Sequence, residues 1–429
     1  MDYEFTLFMN DSVCSLKYDR TVTTKTNYTQ RRSYISLMKR IIWIGCLSYF
    51  LIGLAHVVLG SVLPVILEHY GREYSEGGTL IFAQFAGFLG GVMLSSTINR
   101  RLGKRGGLML AIGMLFVAEL VYTTLPPWEW MYVTGVIAGF GFGMIEAVIG
   151  TIIIAAITDK TAVAMSRLEV FFGIGAMLMP LIASGMISLG WWRWSFLVVS
   201  AFALITFLFW AKGSFGTLDA MLNARDHTSR KQKTVVYTKK QMRTLVVFIL
   251  FFFLYVGVEM SLANFMPSML IEKMGMDKAG AALSVTFFWI AMSCGRLFAG
   301  YIAEKIRYKS YVLFSSLATL LMLSLFPLTN HVWSAFLVIT LLGLFMSGIF
   351  SITLVFANKL MPGTEESTTS FLIASGGMGG AILPLITGWS MDHLVVNQSA
   401  GMLAMFTVGL CILSIVAFQV QRKHDHEQA

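Results

Sequence analysis

IIWIGCLSYFLIGLAHVVLGSVLPVIL, residues 41–67, contains no Asp, Glu, Lys or Arg. A hydrocarbon core about 30 Å thick is crossed by roughly 20 helical residues, so this run is long enough to span a bilayer by itself. It lacks the period-two alternation of a barrel strand, and a helix satisfies its own backbone in lipid. It is too long for the core of a signal peptide and has no small-residue cleavage site, so it stays in the membrane. Outward from it, apolar runs of the same character recur at 79–99, 107–125, 129–158, 165–189, 193–212, 243–271, 279–302, 309–328, 332–359, 367–391 and 400–420; with the first helix over 41–68 they make twelve. The expected fold class is an all-α membrane protein of twelve transmembrane helices. Composition agrees, because 56% of the 429 residues are hydrophobic and 13% are charged, about half the charge of a soluble domain.

Residues 1–40 are polar and read as a disordered cytoplasmic tail. The longest polar interior segment, 213–242, is a linker between a six-helix bundle over 41–212 and a second over 243–420, and 421–429 form a short tail. With the amino terminus in the cytoplasm, 27 of the 32 Lys and Arg fall on that side; Arg72, Arg193, Lys273 and Lys278 fall on the other, and Arg296 lies within a helix. That bias places both termini in the cytoplasm of a cell-membrane protein. Anionic headgroups account for the net charge of +9 without a nucleic-acid partner. Cys14, Cys46, Cys294 and Cys411 lie far apart, with no CxxC pair, disulfide framework or metal-ligand spacing. The sequence has no P-loop or nucleophile triad and calls for no cofactor, so neither an ATP-driven pump nor an enzyme is expected.

The two halves repeat one another. LPVILEHYG, ending at Gly71, aligns with MPSMLIEKMG, ending at Gly275, at an offset of about 204. The same offset sets Gly91 on Gly295, Ser96 on Gly300, Arg101 on Lys305, and MPLIASG around Pro180 on LPLITG around Pro384. Helix pairs agreeing on one offset define parallel repeats, the relation between the halves of the major facilitator fold.

Over its twelve helices the chain resembles the major facilitator superfamily. The family's loop pattern GxLxDRxGRR has a degenerate copy in STINRRLGKR, 96–105, where Arg100 replaces the acid. Its counterpart GYIAEKIRYK, 300–309, keeps Gly300, Glu304 and Lys305. The resemblance implies that Glu304 and Lys305 take part in gating, and leaves the first latch without its acid. Within the superfamily the chain is similar to the fucose:proton symporter family, and most to its glucose/mannose:proton symporter branch. The strings SRLEVFFGIGAMLMP from Ser166, YVGVEMSLANFMPS from Tyr255 and TSFLIASGGMGGAILPLITGWS from Thr369 carry that likeness. It implies a monomeric secondary transporter in lipid that takes a proton and a small molecule, a glucose- or mannose-like sugar, by alternating access. A proton-coupled drug or metabolite exporter of the same fold is the alternative, and a transporter-derived sensor a remoter one.

A carboxylate at the bilayer centre costs about 2.5–3.5 kcal/mol on insertion scales, so each needs a reason. Glu146 lies near the middle of the fourth helix in GFGFGMIEAVIG, where small residues let helices approach. It reads as a proton carrier or as a polar packing link, and the resemblance favours the proton, because the family places its coupling glutamate here. The family's helix-1 aspartate is Gly60 in this chain. His56, one turn earlier, falls against Glu259 under the repeat and is a second coupling candidate with it, or else a packed histidine.

Glu259 and Asn264 are five apart, so a regular helix points them about 140° apart. A break between Gly257 and Pro267 would bring both to one spot, where carboxylate and amide suit sugar hydroxyls. Trp289 with Phe288, and Gln84 with Phe85, offer the ring and amide mix of a sugar site, or ordinary packing. The substrate candidates are thus Asn264, Gln84, Trp289 and Glu259. Glu169 reads as a gate or interdomain ion pair, Arg296 as a gating residue or a structural or snorkelling contact, and Glu119, in the outer part of its helix and near the headgroups, is left unassigned.

Overall fold

The structure is a computed structural model, and it describes residues 25–156, 161–216, 218–223 and 237–428. Residues 1–24 of the expected tail, 224–236 of the linker and Ala429 lie outside the described residues. The run over 41–67 sits inside α1 (Lys25–Tyr70), so 25–40 continue the first helix instead of forming a disordered tail.

α2 (Tyr74–Thr123) has 50 residues, about 75 Å of helix, twice what one crossing needs. It is interrupted at Gly103, whose φ of 75° and ψ of 163° are not helical. α3 (Trp128–Ala156) runs parallel to the first part of α2, since Gly87 meets Val136 and Gly91 meets Phe140. It runs antiparallel to the second part, since Tyr122 lies by Gly135 and Ala111 by Gly141, so the chain reverses at Gly103. Among the described residues eleven helices are long and apolar enough to span, and the doubled α2 makes the twelfth crossing.

The remaining elements are α4 (Thr161–Ser188), α5 (Trp194–Lys212), a short α6 (Leu218–Asn223), α7 (Lys239–Met274), α8 (Lys278–Ile306) and α9 (Tyr308–Leu325). A 3-10 turn (Phe326–Leu328) leads to α10 (Val332–Met346) and α11 (Ile349–Leu360), one crossing in two pieces, then α12 (Glu365–His393) and α13 (Val396–Gln428). We call the end where α1 begins and α13 finishes the basic face, and the opposite end the distal face.

The repeat is written in the backbone. Gly71 and Gly275 end α1 and α7 at φ 60° and 62°. Gly103 and Arg307, also 204 apart, stand at φ 75° and 72° in the loops after the second and eighth crossings. At Gly103 glycine meets that demand freely, whereas Arg307 meets it with strain.

α6 belongs to the amino-terminal half. Arg105 donates to the carbonyls of Trp210 (2.9 Å), Ala211 (2.8 Å) and Gly213 (2.8 Å), the unsatisfied acceptors at the end of α5, and pairs with Asp219 of α6 at 3.3 Å. Phe215 is fully buried beside Trp210, with the Arg40 and Arg105 guanidiniums 5.9 and 5.8 Å from its ring centre. In the second half, Lys309 stands 4.5 Å from the ring centre of Phe418 in the corresponding place.

Candidate functional site

The helices that line the boundary between the halves touch through small residues. Gly173 of α4 faces Ser293 of α8, and Gly377 and Gly380 of α12 face Leu89 and Phe85 of α2. This boundary carries a charged cluster. Nη1 of Arg296 lies 3.5 Å from Glu169 of the first half, and Nη2 lies 3.8 Å from Glu259 of its own half. The guanidinium also stacks over Trp289 at 5.8 Å and donates to the Met292 sulfur at 3.5 Å. Glu259 is 6% exposed and Glu169 50%, so Glu259 depends far more on this one cation.

Glu146 is half-buried on α3 and lies in electrostatic range of Glu169. Tyr49 of α1 is in range of both, and Tyr255 of α7, which donates to the Met346 carbonyl at 3.0 Å, lies beside Glu259. Two carboxylates, one from each half, therefore share one guanidinium, and a third, Glu146, lies in range of the first. Such a surplus of negative charge in a low-dielectric setting can load and release a cation.

An aromatic set adjoins the cluster. The His56 ring meets Phe85 (5.3 Å), Phe142 (5.5 Å) and Phe172 (5.5 Å) edge-on, with Nε2 2.9 Å from the Met260 sulfur. Phe172 also meets Trp289 edge-on at 5.6 Å, so one phenylalanine of α4 links rings of both halves. Trp289 Nε1 and His56 Nδ1 are buried without partners among the described residues. Buried polar nitrogens without partners are available to a ligand's hydroxyls, and rings cover the C–H faces of a sugar.

Several expectations change. α7 is unbroken from Lys239 to Met274, so Glu259 and Asn264 do not converge. Asn264 is buried, donates to the Met260 carbonyl at 2.8 Å and packs on Gly60; a substituent on Gly60 would collide with it. Gln84 is buried, with its amide toward the Ala55 carbonyl at 3.5 Å, so α1 holds it. Arg296 does not snorkel, because its partners lie inward at the boundary. Glu304 and Lys305 are exposed at the end of α8, with no ion pair among the described residues. Glu119, one turn before the end of α2, is fully buried, and both carboxylate oxygens lack partners among the described residues. His56 contacts Met260 and not its repeat-mate Glu259.

Tyr49, Tyr255 and Phe172 escaped the sequence reading. Aromatic residues are too frequent here, at 13%, to stand out, and only helix packing brings these three to the cluster.

The fold and its central site define a membrane transporter, and the chain belongs to the Major Facilitator Superfamily, whose profile it matches over residues 45–364 and 247–429. That family consists of transporters rather than enzymes. The chain is similar to the glucose/mannose transporter GlcP of Bacillus subtilis, with 28% identity over 389 residues that cover 88% of this chain and 94% of GlcP. A putative glucose/galactose transporter of Helicobacter pylori is 25% identical over 177 residues, covering 41% and 43%. Among solved structures, the nucleoside transporter NupG aligns with a TM-score of 0.73 at 13% identity, covering 89% of this chain and all of NupG. The fucose:proton symporter FucP of E. coli aligns at 0.59 and 15% identity, covering 90% and 99%; both likenesses speak to the fold.

Proposed function

We propose that this chain is a proton-coupled importer of a glucose- or mannose-like hexose, acting as a monomer in the cell membrane with its basic face and both termini in the cytoplasm. The observation that carries the reading is one guanidinium, Arg296, shared by carboxylates of both halves beside a ring set with unpartnered polar nitrogens. Similarity to GlcP supports a hexose. The six-helix bundles over 41–212 and 243–420 rock about the site. Glu146 and Glu259 carry the transported proton, Trp289 and His56 meet sugar hydroxyls, and Glu169 with Arg296 forms the contact that is remade as the halves move. Lipid headgroups hold the basic face.

Reconstituted protein tests this. It should accumulate labelled glucose or mannose when a proton gradient is imposed, and a protonophore should collapse the accumulation. Uptake indifferent to the protonophore removes proton coupling from the reading. Failure with every hexose, together with outward movement of a cationic drug, favours the exporter.

A further inference from the structure

The distal face is closed by contacts that the site does not use. Lys278, the first residue of α8, pairs with Glu68 of α1 across the boundary between the halves. The Tyr74 hydroxyl, on the first residue of α2, donates to Glu272 of α7 at 2.8 Å, again across the boundary. Glu68 and Glu272 are 204 apart, and so are Tyr74 and Lys278. The two contacts are one contact made twice with partners exchanged.

A third contact occurs once. The first amides of a helix have no acceptor within it. In α8 the carboxylate of Asp277, the residue before the helix, accepts from the Gly280 amide at 2.8 Å. In α2 the equivalent Glu73 forms a capping box with Glu76, whose carboxylate accepts the Glu73 amide at 3.3 Å, and this leaves the first two amides of the helix to another acceptor. Asp392, at the end of α12 in the other half, accepts the amides of Tyr74 at 2.9 Å and Ser75 at 2.7 Å. Its repeat-mate is Ser188, whose hydroxyl donates to the Gly185 carbonyl of its own helix. Behind Asp392 the backbones touch: Gly388 packs on the Tyr74 carbonyl, and a Cβ on Gly78 would lie 3.0 Å from the Pro384 carbonyl oxygen.

We propose that Asp392 is the latch of the distal face, capping α2 from the opposite half and so favouring the state closed on that side. Two hydrogen bonds to a carboxylate, at the positive end of a helix, hold the halves together while they touch. When the halves part, water replaces Asp392 at both amides, so the latch biases the equilibrium without locking it. Lys278 and Glu68 add less, being partly exposed, at 35% and 65%. Proton and sugar identity do not enter, so the latch stands or falls apart from the proposed substrate.

The test reads opening directly. Ser268, buried on the distal side of α7, is replaced in Ser268→Cys, a nearly isosteric change. A membrane-impermeant maleimide is applied to each side of the membrane in turn, and modification of the introduced thiol is followed by peptide mass spectrometry. Asp392→Ala in this background should raise the labelling rate from the distal side about tenfold, the scale of losing charge-assisted bonds at a helix end. Asp392→Asn, which keeps shape and one acceptor oxygen, should fall between, and Lys278→Ala should change the rate less than Asp392→Ala. If Asp392→Ala does not fold, Asp392→Asn carries the comparison alone. Equal labelling of the folded variants and their parent overturns the proposal, as does a larger effect of Lys278→Ala.

Discussion

Replacing Arg296 by methionine should destabilise the protein through Glu259, with a size that can be worked out. The substitution removes the cation paired, among the described residues, with a carboxylate that is 6% exposed, and loss of one member of a buried pair costs about 3–5 kcal/mol. With about 2.1 cal/mol/K of unfolding entropy per residue over 429 residues, 1 kcal/mol corresponds to roughly 1 °C. Thermal unfolding in detergent should show Arg296→Met about 3–5 °C below the parent. Adding Glu259→Gln should restore most of the loss, whereas adding Glu169→Gln, at 50% exposure, should restore little. An unfolding temperature unchanged in Arg296→Met, or simple additivity of Arg296→Met and Glu259→Gln, would refute the reasoning.

Glu146→Gln should abolish hexose accumulation yet preserve counterflow exchange in proteoliposomes, because exchange needs no net release of a proton; loss of both would make Glu146 structural or substrate-binding. Arg307→Gly should raise the unfolding temperature by about 1 °C, since it relieves a φ of 72° in a residue with a Cβ at a small cost in chain entropy. Phe215→Ala should cost about 3–5 kcal/mol of stability and free the start of the linker to proteases, as the ring is fully buried between two guanidiniums. Gly139→Leu should prevent accumulation of folded protein, measured by fluorescence-detected size exclusion, because even a Cβ there collides with the Gln84 carbonyl oxygen.

The run over 41–67 and its eleven companions made the fold readable, because lipid imposes length and composition on every crossing. The offset near 204 was readable for the same reason that the glycines at 71 and 275 share a φ: a turn fixes its residue type. The site was readable only in part. Glu146, Glu259, Glu169 and Arg296 stood out because charge inside a bilayer is rare. How they pair was hidden, since it depends on which face each helix turns to the boundary. Asn264 misled because Gly257 and Pro267 suggested a break, yet α7 absorbs both within a continuous helix. Asp392 gave no signal, as an acid beside a helix end is ordinary at the membrane surface. Glu119 fails the other way: nothing in its sequence neighbourhood signals that its carboxyl group is fully buried with no partner among the described residues.

The exchanged contacts at the distal face, Glu68 with Lys278 and Glu272 with Tyr74, have the form of an isologous dimer interface, in which residue i meets j and j meets i. Geometrically the transporter is a homodimer joined into one chain. In a true homodimer every substitution acts twice and the axis forces both copies to stay alike. Joined in one chain, each copy varies by itself: tyrosine faces lysine at 74 and 278, and serine faces aspartate at 188 and 392. Broken symmetry lets one side of the axis hold the halves shut while the other keeps the cluster around Arg296 free to change partners.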